Sequence, residues 1–186
     1  MNFNRYITEA EFSELAAFIR REGVVRRFAR GERLSGQGLR SHRCGLVVQG
    51  ALRYVHADVA GEEHVVGYAF AGEFVGDYIS MCVDAPSQVT IEAMCGAAAL
   101  VVTGGRLEVF YRTDAAHERL GRTMAEHMLA EVYERLLERY AASPQQRYEA
   151  LLERCPDLLQ MVSLRELASY LGVRPETLSR IRGRIR

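Results

Sequence analysis

SLRELASYLGVRPETLSRIRGRI, residues 163–185, is the stretch whose reading decides the fold. Leu164, Leu167, Ala168 and Leu171 fall on one helical face; after Gly172-Val173, Leu178, Ile181 and Ile185 fall on another. A small residue at Ala168 allows a second helix to cross closely, and Gly172 supplies the positive φ of a tight turn. Ser163 and Glu166 stand at the spacing of a capping box, and Arg174-Pro175 opens the second helix. The expected element is a helix-turn-helix. Its second helix presents Glu176, Thr177, Ser179, Arg180 and Arg182 outward. Arginine can bond a guanine edge bidentately and glutamate can accept from cytosine N4. Arg174, Arg184 and Arg186 are placed to neutralise phosphates. The competing reading is an ordinary helical hairpin with a solvated basic face.

Working outward, Pro144–Arg154 reads as a further helix, ended at Cys155-Pro156, with a short turn at Asp157–Gln160. Before it the period is helical from about Leu107 to Ala142. Leu120, Met124, Met128, Val132, Leu136 and Tyr140 recur every four residues, and Leu129, Tyr133 and Leu137 widen the stripe. Steps of four drift by about 40° on an α-helix, so this band covers two faces, one for the protein's own core and one for a partner chain. A helix packed wholly within a monomer is the alternative. From Val24 to about Leu107 short β-rich runs replace the helical pattern: 46–48, 51–55, 64–70, 89–94 and 98–102. Turn signals separate them at Gln49-Gly50, Asp58–Gly61 and Ala71-Gly72. Nine of the 16 glycines fall between 31 and 76, which supports many closely spaced turns. Such spacing reads as a β-barrel or double-sheet roll. Residues 9–22, with Phe12, Leu15, Ala16 and Ile19, read as a short amphipathic helix.

The expected fold class is α+β: an N-terminal jelly-roll-like double β-roll (1–113), a long dimerisation helix (114–142) and a C-terminal helix-turn-helix domain (143–186). Charge supports a modular chain. The 186 residues carry 24 Arg and 24 acids, with no Lys, yet the last thirteen hold five Arg and one Glu. A neutral chain with a basic end suggests a tail that meets an anion. No apolar run approaches the roughly 18 residues of a membrane span, and the first residues lack an apolar signal core, so a cytoplasmic protein without membrane contact is expected. Cys44, Cys82, Cys95 and Cys155 show no metal spacing and read as single buried thiols. The five histidines form no HxH or HExxH pair, so no metal is expected. The absence of Gly-x-Ser-x-Gly, P-loop and nucleotide fingerprints argues against an enzyme.

Together these residues resemble the Crp/Fnr superfamily of bacterial transcription regulators over nearly the whole chain. RGERLSGQG (30–38), GLVVQGALRYV (45–55) and AGEEHVVGYAFAGEFVGD (60–77) are similar to the turn, hairpin and cassette strand of its cyclic-nucleotide-binding roll. Glu176, Ser179 and Arg180 are similar to the Glu-x-x-Ser-Arg base-reading set of its oxygen-sensing branch. The resemblance implies a homodimer on palindromic double-stranded DNA, with RNA polymerase as a further partner, and an effector pocket near Gly76, Asp77, Ser87, Gln88 and His127. It departs from the family at three points. Where cyclic-AMP binders carry Arg-Ser, this chain has Ser87-Gln88, so cyclic AMP is not expected. The N-terminal cysteine cluster of the iron–sulfur branch is missing before Cys44, so no cofactor is expected. The sequence runs seven residues beyond Ser179, where the family's wing hairpin would follow, so a short or absent wing is expected. A ligand-binding module acting through protein contacts, with a vestigial helix-turn-helix, is the alternative function.

Overall fold

The computed structural model describes residues 3–185, and of residue 185 the backbone alone. The elements run α1 (Ser13–Glu22), β1 (Val24–Phe28), β2 (Arg33–Ser35), β3 (Arg43–Gln49), β4 (Ala51–Ala57), β5 (Glu63–Phe70), β6 (Phe74–Gly76), α2 (Tyr78–Cys82), β7 (Thr90–Ala93) and β8 (Ala97–Thr103). The helices α3 (Gly104–Tyr111), α4 (Ala115–Ala141), α5 (Pro144–Arg154), α6 (Leu158–Met161), α7 (Leu164–Leu171) and α8 (Pro175–Ile185) follow. The strands form two four-stranded antiparallel sheets, ordered β1-β8-β3-β6 and β2-β7-β4-β5.

Side-chain alternation along the strands divides the interior into layers. In β8, Ala97, Ala99 and Val101 point between the sheets, while Leu100 and Val102 point to the outer face under the helices. Leu46 and Val47, adjacent in β3, do the same. The first sheet is covered outside by α1, α3 and α4 through Leu15, Ile19, Leu107, Phe110 and Met124. The second is covered by the C-terminal helices, whose Tyr148, Leu151, Leu158, Leu167 and Ala168 share a core with Val65, Tyr68 and Phe70. Both faces of both sheets are therefore buried over much of their area. This is why runs such as YAF (68–70) and ALVV (99–102) are continuously apolar instead of alternating. Gly50 closes the β3–β4 hairpin at φ 75°, and a Cβ there would meet the Gly96 carbonyl at 2.6 Å.

Two expectations are corrected, and one segment is divided into its parts. The first helix begins at Ser13, not residue 9, because Thr8 accepts from the amides of Glu11 and Phe12 and closes a separate turn ahead of it. The helical 107–142 segment consists of α3 and α4. Asp114 breaks it by accepting from the amides of Ala116 (2.8 Å) and His117 (3.0 Å), which starts α4 afresh. Of the four thiols expected to be buried, only Cys44 and Cys155 are; Cys82 and Cys95 are exposed. No helix among the described residues is long and apolar enough to cross a membrane.

Candidate nucleic-acid interface and roll cavity

The α7–α8 pair is built from local chemistry. Ser163 and Glu166 form a complete capping box, with Ser163 Oγ accepting from the Glu166 amide and the Glu166 carboxylate from the Ser163 amide at 2.9 Å. Gly172 ends α7 in the left-handed region (φ 65°, ψ 40°), a conformation that a Cβ disfavours. Leu178 and Ile181 are buried against α7. That docking turns Glu176, Ser179, Arg180, Gly183 and Arg184 outward, spaced i, i+3, i+4, i+7 and i+8 along one face of α8. Arg174 is exposed at the head of the helix, and Thr177 and Arg182 are half-buried at its margins. Arg174, Arg180, Arg182 and Arg184 form no ion pair among the described residues, whereas Arg5, Arg53, Arg106 and Arg135 do. Arg186 lies outside the described residues, as does the Ile185 side chain.

The opposite side of α7 docks on the second sheet. β5 is the edge strand, and its Val65 amide donates to Ser169 Oγ at 2.9 Å. Arg53 on β4 bridges Glu92 (2.6 Å) and Glu166 (2.5 Å). Burial works to raise the Glu166 pKa, but the Ser163 hydrogen bonds and the Arg53 guanidinium outweigh it and hold the carboxyl below its ordinary value. Phe3 fills the remaining gap, edge-on to Tyr68 and Tyr170 at 5.3 Å each. Arg147 ties α4 to the same unit by donating to the Ala142 carbonyl (2.9 Å) and the Leu171 carbonyl (3.0 Å).

Helix α4 behaves as its two-sided stripe implies. Met124 is buried, with Leu120 and Met128 packed beside it on the roll. Leu129, Val132, Tyr133, Leu136, Leu137 and Tyr140, spaced i, i+3, i+4, i+7, i+8 and i+11, are all exposed. Six large apolar side chains on one face of a 27-residue helix form the kind of patch that marks an interaction surface.

A cavity of about 250 Å³ lies between the roll and α4. Tyr54, Tyr68, Tyr78 and Tyr111 line it with apolar Leu15, Phe74, Met124 and Met128. Burial pushes the phenols of Tyr54 and Tyr78 up to about 12, and those of Tyr68 and Tyr111 upward too, so all four stay neutral. For Tyr78 a hydrogen bond with Cys82 adds to the effect. Glu131 and Arg135 are the only acidic and basic residues of the lining, and Arg135 donates to Glu131 Oε1 at 2.6 Å. Of the residues expected to form an effector pocket, Gly76 lines this cavity. The other four do not. Ser87 donates to Asp77 Oδ2 at 2.6 Å, and Asp77 caps α2 through the Ser80 amide. Gln88 is exposed, its carbonyl 2.8 Å from His56. His127 is held by the Tyr6 carbonyl (2.8 Å) and Glu11 (3.4 Å), with the Phe12 ring edge-on at 5.6 Å. Sequence reasoning missed Glu131 and Tyr68, each of which carries a buried oxygen without a partner among the described residues.

One further cluster was invisible to motif spacing. Asp58, Glu62 and His64 meet at the β4–β5 turn with ligand-type atoms within 4.8 Å of one another. Hydrogen bonding to His64, then the Glu62 and Ala60 amides, lowers the Asp58 pKa, as expected of a turn-closing carboxylate.

Fold, helix pair and cavity together define a β-roll joined to a helix-turn-helix. Residues 25–129 match the sequence-family model of the cyclic nucleotide-binding domain, more than half of the chain, and the chain belongs to that family. FixK2 from Bradyrhizobium japonicum superposes with a TM-score of 0.75 at 20% identity, over 88% of this chain and 84% of that one. The c-di-GMP-responsive global regulator CLP from Xanthomonas campestris gives 0.66 at 18% identity, over 95% and 91%. The catabolite activator protein of Thermus thermophilus gives 0.57 at 20%, over 94% and 82%. The fold is shared with these three proteins along nearly the whole chain. No curated protein matches in sequence.

Proposed function

We propose that the protein is a homodimeric, DNA-binding transcription regulator of the Crp/Fnr type, working in the cytoplasm and controlled by a small molecule in its roll. One observation carries the reading. The second helix of the pair is anchored by Leu178 and Ile181 and turns a face of Glu176, Ser179, Arg180 and Arg184 outward, its guanidinium groups without an ion pair among the described residues. A duplex supplies both the base edges and the phosphates that such a face requires. The exposed stripe of α4 is the dimer contact. Two-fold symmetry then sets two half-sites about one helical turn apart, roughly 34–36 Å. RNA polymerase is a further partner of the assembled complex.

The arrangement at the cassette supports an effector other than cyclic AMP. Ser87 is already spent on the Asp77 carboxylate, which a phosphate there would have to displace. Selection of bound duplexes from a random pool tests the reading. The expected product is a palindrome with TTGA-like half-sites. Recovery of no enriched sequence, at any salt concentration that permits binding, would contradict it.

A further inference from the structure

The first residues of a chain are ordered only where something ties them down, and residues 3–6 are tied to three separate parts of the fold. The roll holds them through Glu73 in the β5–β6 turn. Its buried carboxylate accepts from the Phe3 amide (2.5 Å), the Asn4 amide (3.3 Å) and Asn4 Nδ2 (3.3 Å). Helix α4 holds them through its C-terminal half. The Arg5 guanidinium pairs with Glu134 (3.3 Å) and Glu138 (3.2 Å), the Arg5 amide donates to Glu131 (3.3 Å), and Tyr6 Oη donates to Glu134 (2.5 Å). Glu131, Glu134 and Glu138 share one face of α4, roughly opposite the exposed apolar stripe on a helix of 3.6 residues per turn. Glu134 and Glu138 stand at i, i+4, where like charges repel, and Arg5 answers both. The helix-turn-helix is reached through Phe3. Its buried ring is edge-on to Tyr170 of α7 and Tyr68 of β5, and the Arg135 guanidinium of α4 stands 4.7 Å from its centroid.

We propose that residues 3–6 are a strap that couples α4 to the helix-turn-helix, so that a shift of α4 moves α7. The covalent route between the two runs through α5 and α6, whereas the strap passes from the α4 glutamates through Arg5 and Phe3 to Tyr170 within three residues of chain. Glu73 is its fixed point on the roll. A plug for the gap beside Tyr68 requires Phe3 alone. The bonds that Arg5 and Tyr6 make with three glutamates of α4 add nothing to the plug, and they make the segment a tie between two units. The inference deepens the regulator reading and rests on it for its meaning in DNA binding, though not for the coupling itself.

Amide hydrogen exchange on the full chain tests the coupling, because it reads opening element by element. Arg5→Glu sets a fourth carboxylate against the three of α4 without altering Phe3. It is expected to speed exchange about tenfold in Leu164–Leu171 of α7 and at Val65, the amide that bonds Ser169. Neither is an ion-pair partner of Arg5. Phe3→Ala should loosen the same amides. Arg5→Lys keeps the charge and should stay within about twofold of wild type. The paired amides of β3 and β8 should keep their wild-type rates in all three variants. Unchanged exchange in α7 for Arg5→Glu, equal effects of Arg5→Lys and Arg5→Glu, or a rise uniform across β3, β8 and α7 would each overturn the proposal. Should Phe3→Ala fail to fold, the comparison of Arg5→Glu with Arg5→Lys decides alone. Duplex binding measured on the same wild-type sample separates the two readings. Duplex binding with α7 indifferent to Arg5→Glu sinks the strap alone; α7 loosened by Arg5→Glu in a protein that binds no duplex sinks the regulator alone.

Discussion

Arg180 and Arg184 stand one turn apart on the same exposed face of α8, yet they answer to different parts of a duplex. Arg180, in the first half of the helix with Glu176 and Ser179, is placed for base edges; Arg184, near the far end, is placed for the backbone. Arg180→Ala is expected to cost about 1–3 kcal/mol on the specific site and to relax selectivity at one base pair. Arg184→Ala should weaken specific and scrambled duplexes together. Competition binding against single-base variants of the half-site distinguishes the two, and equal losses on all sequences for Arg180→Ala would refute its base-reading role. These residues were legible in the sequence because their placement is local: Ser163, Ala168, Gly172 and Leu178 each do their work within a few residues of chain. Glu131 was not legible. It sits in EVYERLLER (131–139), where a carboxylate reads as solvated, and only the approach of the N-terminal segment and the roll buries it. The Asp77–Ser87 bond was hidden for the same reason, since it joins residues ten apart across the α2 turn.

Among the elements, α4 makes the firmest demand. Burying a Leu or Val side chain is worth about 1.5–3 kcal/mol, and six large apolar groups on this helix stay bare in the single chain. Leu136→Asp, at the middle of the stripe and away from the cavity lining, should halve the mass seen in light scattering without changing the circular dichroism spectrum. An unchanged mass would place the interface elsewhere. The docking of α7 on β5 brings a pH dependence. The pKa of Glu166 is lower in the folded chain than the ordinary 4.5, so its charged form favours folding. That contribution is complete above 4.5 and is lost as the pH falls through the lower, folded value. A thermal-unfolding series should show wild type ahead of Glu166→Gln near neutrality, with the gap closing in acid; a gap that persists there would contradict the sign. The strands β3, β4, β5, β7 and β8 were legible from their apolar runs and flanking turns. β1, β2 and β6 were not: β2 and β6 are three residues long each, and VVRRF of β1 exposes most of its length. Their strand character comes from pairing with β8, β7 and β3, not from their own pattern.

At the scale of the whole molecule, the two sheets are clasped between helices on both sides, and α4 reaches from the roll cavity to the Arg147 junction that holds the turn after α7. A ligand that repositions α4 therefore acts on the helix pair through one continuous element, provided that it favours one of two poses. The sequence conveyed the order of the parts, since hydrophobic period and turn spacing are local. It did not convey that the C-terminal helices cover the second sheet, because Phe3, Tyr68 and Tyr170 come together from three separate regions. The central claim is that α8 meets a nucleic acid with its free arginines, and a salt series of fluorescence anisotropy on a palindromic duplex tests it most directly. With four unpaired guanidinium groups on or beside α8 in each subunit, log K should fall linearly with log[salt] with a slope on the order of −4 or steeper, and less steeply for Arg184→Ala. No binding at low salt, or an affinity indifferent to both salt and Arg184→Ala, would contradict it.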